Sequence, residues 1–339
     1  MLRNVQKQIA LATHTTLHVG GVADYFVEVT TEAELQQALH FAAQNAVPVF
    51  VLGGGSNVLF SDAGYRGLVI KNSIRGRQIA QEREAVLVTV GAGENWDAFV
   101  MDMCAAGYWG VENLSAIPGT VGATPIQNVG AYGAEVSEVI TQVTATNKDT
   151  GVEKQFTHDE CQFDYRDSYF KSVAGKQWIV TTVTFKLSTI PQPNFRYADL
   201  QSLATTAHIS PGAVAEAVRD IRSAKFPDWS VVGTAGSFFK NPLVTAADYT
   251  RLTALYPDLP AHQTSTGDWK LSLGWILDKV CGLKGFCVAG VCLSQKQALV
   301  LTNTGSSAED IYTFVELVTK KVFEKTQIKI EPEVLLVKK

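Results

Sequence analysis

Val49-Phe50-Val51-Leu52-Gly53-Gly54-Gly55-Ser56-Asn57 decides how the rest of the chain is read. A short apolar run, which reads as a buried strand, stops at three glycines and two small polar residues. Adjacent glycines lose much conformational entropy on folding, so a chain keeps them where the backbone turns tightly or another group approaches closely. Two readings follow. One is a tight surface turn. The other is a cradle in which backbone N–H groups and the Ser56 and Asn57 side chains hold phosphate oxygens. The stretch lacks the Gly-Lys-Ser/Thr of a Walker loop. It also lacks the third glycine of a Rossmann turn after Gly53-x-Gly55.

A second glycine-rich stretch runs from Ser115 to Gly133 and contains Ile117, Pro118, Gly119, Gly122, Ile126 and Gly130. It is too long and polar for a hairpin turn and has neither helical nor strand periodicity. The interleaved Ile117, Val121, Ile126 and Val129 argue for an ordered loop, and ordered loops of this length tend to be functional. Both stretches carry Ser, Thr, Asn or Gln and almost no Lys or Arg. That pattern suits a diphosphate held by backbone N–H groups. A dinucleotide such as FAD fits it better than a mobile nucleoside triphosphate, which needs a Lys and a magnesium ligand.

The surroundings of these loops read as α+β. Tyr25–Val29 alternates as a strand. Thr31-Glu32-Ala33-Glu34 forms a capping box, with Glu34 reaching back to its own N-cap, and Leu35, Ala38, Leu39 and Ala42 follow at helical spacing. Leu68–Lys71 and Val86–Val90 are strands, and Trp96, Phe99, Val100 and Met103 mark a helix. Val139–Thr146 and Val152–Phe156 flank Asn147-Lys148-Asp149-Thr150-Gly151 as a hairpin, and Trp178–Leu187 is a long strand. Ser210-Pro211 opens a helix whose apolar face is Val214, Ala217, Val218 and Ile221. A helix spans Leu273–Val280. Ser307 caps a last helix with Ile311, Phe314, Val315, Val318 and Val322 facing the core. Ile328–Val337 reads as a final strand interrupted by Pro332.

Composition bounds the function. With 339 residues, 46% hydrophobic, 18% charged and a net charge of −4, the chain is globular, divides into two or three domains and carries no basic tract for nucleic acid. No run of about 18 apolar residues exists to span a membrane, and the first thirty residues lack a signal-peptide apolar region. The six His show no metal-ligand spacing, so no metal is expected. Cys104, Cys161, Cys281, Cys287 and Cys292 are odd in number and include no Cys-x-x-Cys pair. They read as reduced, mostly buried thiols of a cytoplasmic protein.

Three further constellations carry chemistry. Tyr165-Arg166-Asp167-Ser168 puts a guanidinium among aromatic rings, where it suits a carboxylate; the plainer reading is a surface Arg paired with Asp164 or Asp167. Gly233-Thr234-Ala235-Gly236-Ser237-Phe238-Phe239-Lys240-Asn241-Pro242 sets a glycine before a serine and two inward-packing rings after it. This either presents the Ser237 hydroxyl in a cleft or is a tight turn before an edge strand; with no nearby His it is not a hydrolase nucleophile. Glu331-Pro332-Glu333 places carboxylates in an apolar segment, where partial desolvation suits proton handling, unless both face solvent on an edge strand.

Taken together and in this order, these motifs resemble those of the UDP-N-acetylenolpyruvoylglucosamine reductase (UDP-N-acetylmuramate dehydrogenase) family, in its longer class with a tyrosine loop. The resemblance covers nearly the whole chain. It implies an FAD-binding fold of the vanillyl-alcohol-oxidase/PCMH type with two α/β subdomains, at 1–73 (joined by 328–339) and 74–225, and a third α+β substrate-binding domain at 226–327. It implies non-covalent FAD held at Gly53, Gly54, Gly55, Ser56, Asn57, Ile117, Pro118, Gly119, Gly122, Ile126 and Gly130. It further implies that NADPH reduces the flavin, which would then pass hydride to the enolpyruvyl ether of UDP-N-acetylglucosamine enolpyruvate, giving UDP-N-acetylmuramate for peptidoglycan synthesis, cell-wall biogenesis and hence cell shape and division. Arg166 and Glu333 would stabilise the enolate-like charge and Ser237 would donate the proton, with Tyr197, Lys225, Asn241 and Gln297 contacting substrate. A monomer is expected.

Two positions depart from the family pattern. Thr234 stands where Asn is expected, which puts the shape of the serine turn in question, and Gly54 stands where many members carry a larger residue. Two other readings share parts of this pattern: another non-covalent FAD oxidoreductase of the same fold, and a non-catalytic nucleotide-sugar sensor. The second predicts a lost catalytic side chain, and none is lost.

Overall fold

A computed structural model describes residues 4–264 and 266–338. Residues 1–3 and 339, the outer limits of the expected first subdomain, lie outside the described residues. The chain forms two compact units. The first comprises Met1–Ile9, Ala23–Gly54 and Arg66–Arg222; the second comprises Ala10–Val22, Gly55–Tyr65 and Ser223–Lys339. The division between them falls inside the first glycine stretch.

In the first unit a four-stranded sheet has the order Gln6–Ala10, Val22–Val29, Tyr65–Asn72, Val49–Leu52. Its last two strands are parallel, with Val49 opposite Leu68 and Leu52 opposite Lys71. The crossover helix Glu32–Gln44 buries Leu35, Ala38, Leu39 and Ala42, the four residues its periodicity selects. Its cap differs from the expected box. The Thr31 hydroxyl does accept from the Glu34 N–H, but the Glu34 carboxylate accepts from the N–H and hydroxyl of Thr30, at 2.7 and 2.8 Å. The Thr30 hydroxyl offers a second donor that the Thr31 N–H alone does not.

The same unit holds a five-stranded antiparallel sheet in the order Glu153–Thr157, Ile140–Asn147, Trp178–Ser188, Ala85–Gly91, Arg77–Gln81. Against it the helix Trp96–Ala105 buries Trp96, Phe99, Val100 and Met103, with Trp96, Phe99 and Phe185 in mutual ring contact. The helix Pro211–Lys225 buries Val214, Ala215 and Val218, and the Ser210 hydroxyl accepts from the Ala213 N–H.

The second unit contains a sheet in the order Gly233–Ser237, Val300–Asn303, Val291–Leu293, Cys287–Val288, and a smaller one of Leu243–Val244, Trp269–Leu271 and Ala261–Gln263. The helix Ala308–Thr326 packs Ile311, Phe314, Val315, Val318 and Val322 into its core, under a complete capping box between Ser307 and Asp310. The helix at Leu273 continues as a π turn over Ile276–Val280, in which Ile276 and Leu277 are buried. The final strand is shorter than its apolar pattern suggests. Only Leu335–Val337 pairs as a strand, parallel to Val58–Phe60. Pro332, without an N–H, contributes an isolated bridge to Phe239.

The cysteine reading needs one correction. Cys287 and Cys292 form a disulfide. They are directly opposite in a hairpin with Cα atoms 4.1 Å apart. Its two-residue turn, Ala289-Gly290, takes positive φ at both positions, the geometry that closes a right-twisted ribbon. Pairing across a hairpin, and not linear spacing, brings the two sulfurs together. Cys104 and Cys161 are buried thiols, each pushed up to about 12 chiefly by burial, and Cys281 is half-buried. Among the described residues no helix is long and apolar enough to cross a membrane.

Candidate active site

The strand Val49–Leu52 delivers Gly53 and Gly54 directly against the second glycine loop. A Cβ on Gly53 would lie 2.7 Å from the Thr120 hydroxyl, and one on Gly54 would lie 2.8 Å from the Gly119 Cα. Side chains at either position would therefore force the loops apart. This explains Gly54 in this chain: its neighbour is backbone, which cannot step aside. Gly55, in the second unit, has φ +67 and would bring a Cβ within 2.0 Å of the His14 carbonyl.

The second loop is strapped down along its length. Val121 and Gly122 N–H groups donate to the carbonyls of Glu94 and Ala92, each at 2.9 Å. A Cβ on Gly122 would meet that of Ala92 at 2.5 Å. At the loop entrance Ala116 takes φ +56. Its N–H donates to the Asp97 carboxylate at 2.5 Å and its carbonyl accepts from Arg222 Nε at 3.1 Å. Arg219 of the same helix pairs with Asp97. Burial pushes the Arg222 pKa down from the ordinary guanidinium value, partly offset by the Tyr132 hydroxyl. The loop thus has a built frame, and a dinucleotide diphosphate fits its chemistry: two closely approaching glycine backbones and a neutral hydroxyl at Thr120.

Arg166 belongs to the same unit and is attached to this loop. Its guanidinium donates to the Gly130 carbonyl, the Ser168 hydroxyl donates to the Ile126 carbonyl at 2.7 Å, and Arg166 lies over the Tyr165 ring at 5.3 Å. Arg166 itself sits at φ +53 in a tight turn closed by reciprocal 3.1 Å backbone bonds between Asp164 and Asp167. Lys171 Nζ donates to its carbonyl at 2.5 Å. Tyr197 is 41% exposed and meets Tyr132 edge-on at 5.0 Å. Its segment is moored by Asn113, whose amide donates to the carbonyls of Tyr132 and Asn194, both at 2.8 Å. Asn194 in turn donates to the Gly133 carbonyl.

Ser237, Glu333, Lys225, Asn241 and Gln297 lie in the second unit. The Glu333 N–H donates to the Phe238 carbonyl at 2.8 Å and the Lys240 N–H to the Glu331 carbonyl at 3.0 Å. The segment that follows Ser237 is thus bonded, backbone to backbone, to the segment Glu331–Glu333, far away in sequence. Phe238 and Phe239 are both buried, anchoring that crossing. Asn57, expected as a cofactor residue, also holds this strand: its amide donates to the Glu333 carbonyl at 3.3 Å, and its own carbonyl accepts from Leu335. Of the two carboxylates, Glu333 is half-buried and Glu331 exposed. Asn241 and Gln297 converge on one helix start. Asn241 Oδ1 accepts from the Leu273 N–H at 3.0 Å, and Gln297 Oε1 lies 2.9 Å from where a Gly274 Cβ would stand. Lys225 ends the helix Pro211–Lys225, half-buried.

Thr16 and Thr120 carry no signal in the sequence, and Thr234 stands out there only as a departure from the expected Asn; each acquires its role from a partner strand or loop.

Residues 23–154 match the family model described as the FAD binding domain. The chain is thus a flavoprotein that carries an FAD-binding domain. Residues 227–337 match the model for the C-terminal domain of UDP-N-acetylenolpyruvoylglucosamine reductase. The chain is 39% identical over 338 residues to the enzyme of that name from Pseudomonas fluorescens, covering 98% of this chain and 99% of the relative. It is 40% identical over 326 residues to that from Escherichia coli, covering 96% and 94%. The crystal structure of the Thermus caldophilus enzyme superposes with a TM-score of 0.70 at 25% identity, covering 99% of each chain. The chain belongs to the UDP-N-acetylenolpyruvoylglucosamine reductase family.

Proposed function

We propose that this chain reduces UDP-N-acetylenolpyruvoylglucosamine to UDP-N-acetylmuramate with NADPH as the electron source, as a cytoplasmic monomer. The observation that carries this reading is the backbone crossing at Phe238, where the residue that follows Ser237 accepts from the Glu333 N–H. FAD, when bound at Gly53–Asn57 and at Ile117, Pro118, Gly119, Gly122, Ile126 and Gly130, supplies hydride transfer between NADPH and substrate. Hydride addition to an enol ether next to a carboxylate builds enolate-like charge. Arg166 and Glu333 stabilise that charge. Ser237 Oγ gives its proton to the adjacent carbon, giving the lactyl ether. A hydroxyl is a weak acid, but a carbanionic centre is basic enough to take its proton. Tyr197, Lys225, Asn241 and Gln297 contact the nucleotide sugar. We keep three domains, 1–73 with 328–339, 74–225 and 226–327, as the working division.

NADPH oxidation by the flavin-loaded protein, with and without the enolpyruvyl nucleotide sugar, tests the activity; absence of substrate-dependent turnover would sink it. Ser237→Ala tests the proton donor. We expect the half-reaction with NADPH to keep its rate and the half-reaction with the enolpyruvyl substrate to slow by about 10²–10⁴-fold, the usual worth of a positioned acid. Equal losses in both would make Ser237 structural.

A further inference from the structure

The strand that carries Ser237 is bulged. Gly233 pairs with Asn303, Thr234 with Thr302, and Ser237 with Val300. Two residues, Ala235 and Gly236, therefore stand opposite Leu301 alone, and Gly236 takes φ +71. A bulge of this kind breaks the ladder locally and re-aims the next side chain. Here the next side chain is Ser237.

A broken ladder leaves backbone groups to satisfy. The Thr234 hydroxyl does this at both ends of the gap. It accepts from the Gly236 N–H at 3.1 Å and donates to the Leu301 carbonyl at 2.7 Å. One hydroxyl has one donor and acceptor lone pairs, so both bonds can be made at once. Thr234 is itself held on its other side. Its N–H donates to the Thr16 carbonyl at 2.8 Å, and its carbonyl accepts from the Thr16 hydroxyl at 2.6 Å. The Thr16 N–H donates in turn to the Gly55 carbonyl at 3.1 Å. Both threonines are buried, with 5% of each exposed. A continuous run of bonds thus joins Gly55, in the first glycine stretch, to the turn that aims Ser237.

We propose that Thr234 is a positioning residue for the reduction: its hydroxyl locks the bulge, and with Thr16 it fixes Ser237 in register with Gly55. The proposal rests on the reading of Ser237 as proton donor. It also accounts for the departure at this position. An Asn there would likewise offer both a donor and an acceptor group, so Thr answers the same need with a single oxygen. A valine, of nearly the same shape, answers neither.

The test uses the FAD-loaded full chain, with Thr234→Val, Thr234→Ser and Ser237→Ala followed by rapid mixing, first with NADPH and then with the enolpyruvyl nucleotide sugar. Thr234→Val should slow the substrate half-reaction by about 10- to 100-fold, the usual cost of a displaced catalytic group, with the NADPH half-reaction unchanged. Thr234→Ser should stay near the wild-type rate. Added to Ser237→Ala, Thr234→Val should cost nothing more, because it acts through the residue already lost. Amide exchange at Gly236 should be slow in the wild type and in Thr234→Ser. That reading holds even if Thr234→Val does not fold. Loss of the substrate step in Thr234→Ser, or fast exchange at Gly236 in the wild type, overturns the proposal. If Ser237→Ala leaves the substrate step intact, the proton-donor reading fails instead. If Ser237→Ala slows it and Thr234→Val does not, the positioning role alone fails.

Discussion

The turn that carries Arg166 and the turn that carries Ser237 solve the same problem in opposite ways. Each must point a polar side chain out of a tight backbone bend, and each uses a residue with positive φ. At the serine turn the neighbour Gly236 takes that conformation, at φ +71, and Ser237 stays in its strand. At the arginine turn the functional residue takes it, at φ +53. A left-handed conformation costs a side-chain-bearing residue roughly 1–2 kcal/mol, and glycine almost nothing. The serine turn is relaxed and its aim is set by the bulge. The arginine turn is strained and is held by outside contacts: the Asp164–Asp167 bridge, the Gly130 carbonyl and Lys171. Strain of this kind persists where surrounding structure over-determines it.

Replacing Arg166 gives the largest expected effect and separates chemistry from strain. Arg166→Ala and Arg166→Gly should both lose about 10²–10³-fold in kcat with the enolpyruvyl substrate, the typical worth of one donor to developing negative charge. Their stabilities should differ. Arg166→Gly should be the more stable of the two by about 1–2 kcal/mol in urea unfolding, because glycine relieves the φ and alanine does not. Equal stabilities would show that the turn adapts without strain and would break the contrast.

Gly236→Ala is the mirror experiment, with a smaller effect. A Cβ there has room, its nearest neighbour being Phe226 Cε1 at 3.9 Å. Any loss is therefore conformational, about 1–2 kcal/mol of stability. If the bulge relaxes to escape that cost, Ser237 shifts and the substrate half-reaction slows by about tenfold or more. A variant with unchanged stability and rate would mean that the left-handed glycine does not aim the serine.

The same contrast marks what could be read from sequence. A glycine before Ser237 announces its special backbone angle, and caps and apolar periods announce helices. So Leu35, Ala38, Leu39 and Ala42 could be named as a buried face, and Ser307 as a cap, from local spacing alone. The left-handed Arg166 carries no such mark, since nothing in Tyr165-Arg166-Asp167 differs from an ordinary turn. Features made by pairing were equally silent. The Cys287–Cys292 bond depends on hairpin register. The role of Thr234 depends on a ladder broken against a strand far along the chain, where its hydroxyl meets a carbonyl 67 residues later. Glu34 reached one residue past its expected partner because a hydroxyl at Thr30 makes a second bond there. The order of the site motifs was legible; the contacts that hold each side chain were not, because they are long-range.

Lys171 offers the finest test of the contrast. Its ammonium donates to the Arg166 carbonyl at 2.5 Å across five residues, from the short helical turn Tyr169–Lys171. At the serine turn the matching job is done by a buried hydroxyl, whereas Lys171 does it from a partly buried position where water competes. Its bond should therefore be worth only about 0.5–1.5 kcal/mol. Lys171→Met keeps the aliphatic stem and removes the donor, so packing is spared. Stability should fall by about that amount, and kcat with the enolpyruvyl substrate by less than about tenfold. In an Arg166→Gly background, where the turn no longer needs forcing, the same substitution should cost measurably less stability. If the cost is the same in both backgrounds, Lys171 stabilises the loop without holding the left-handed arginine, and the Asp164–Asp167 bridge with the Gly130 contact must be sufficient to hold it.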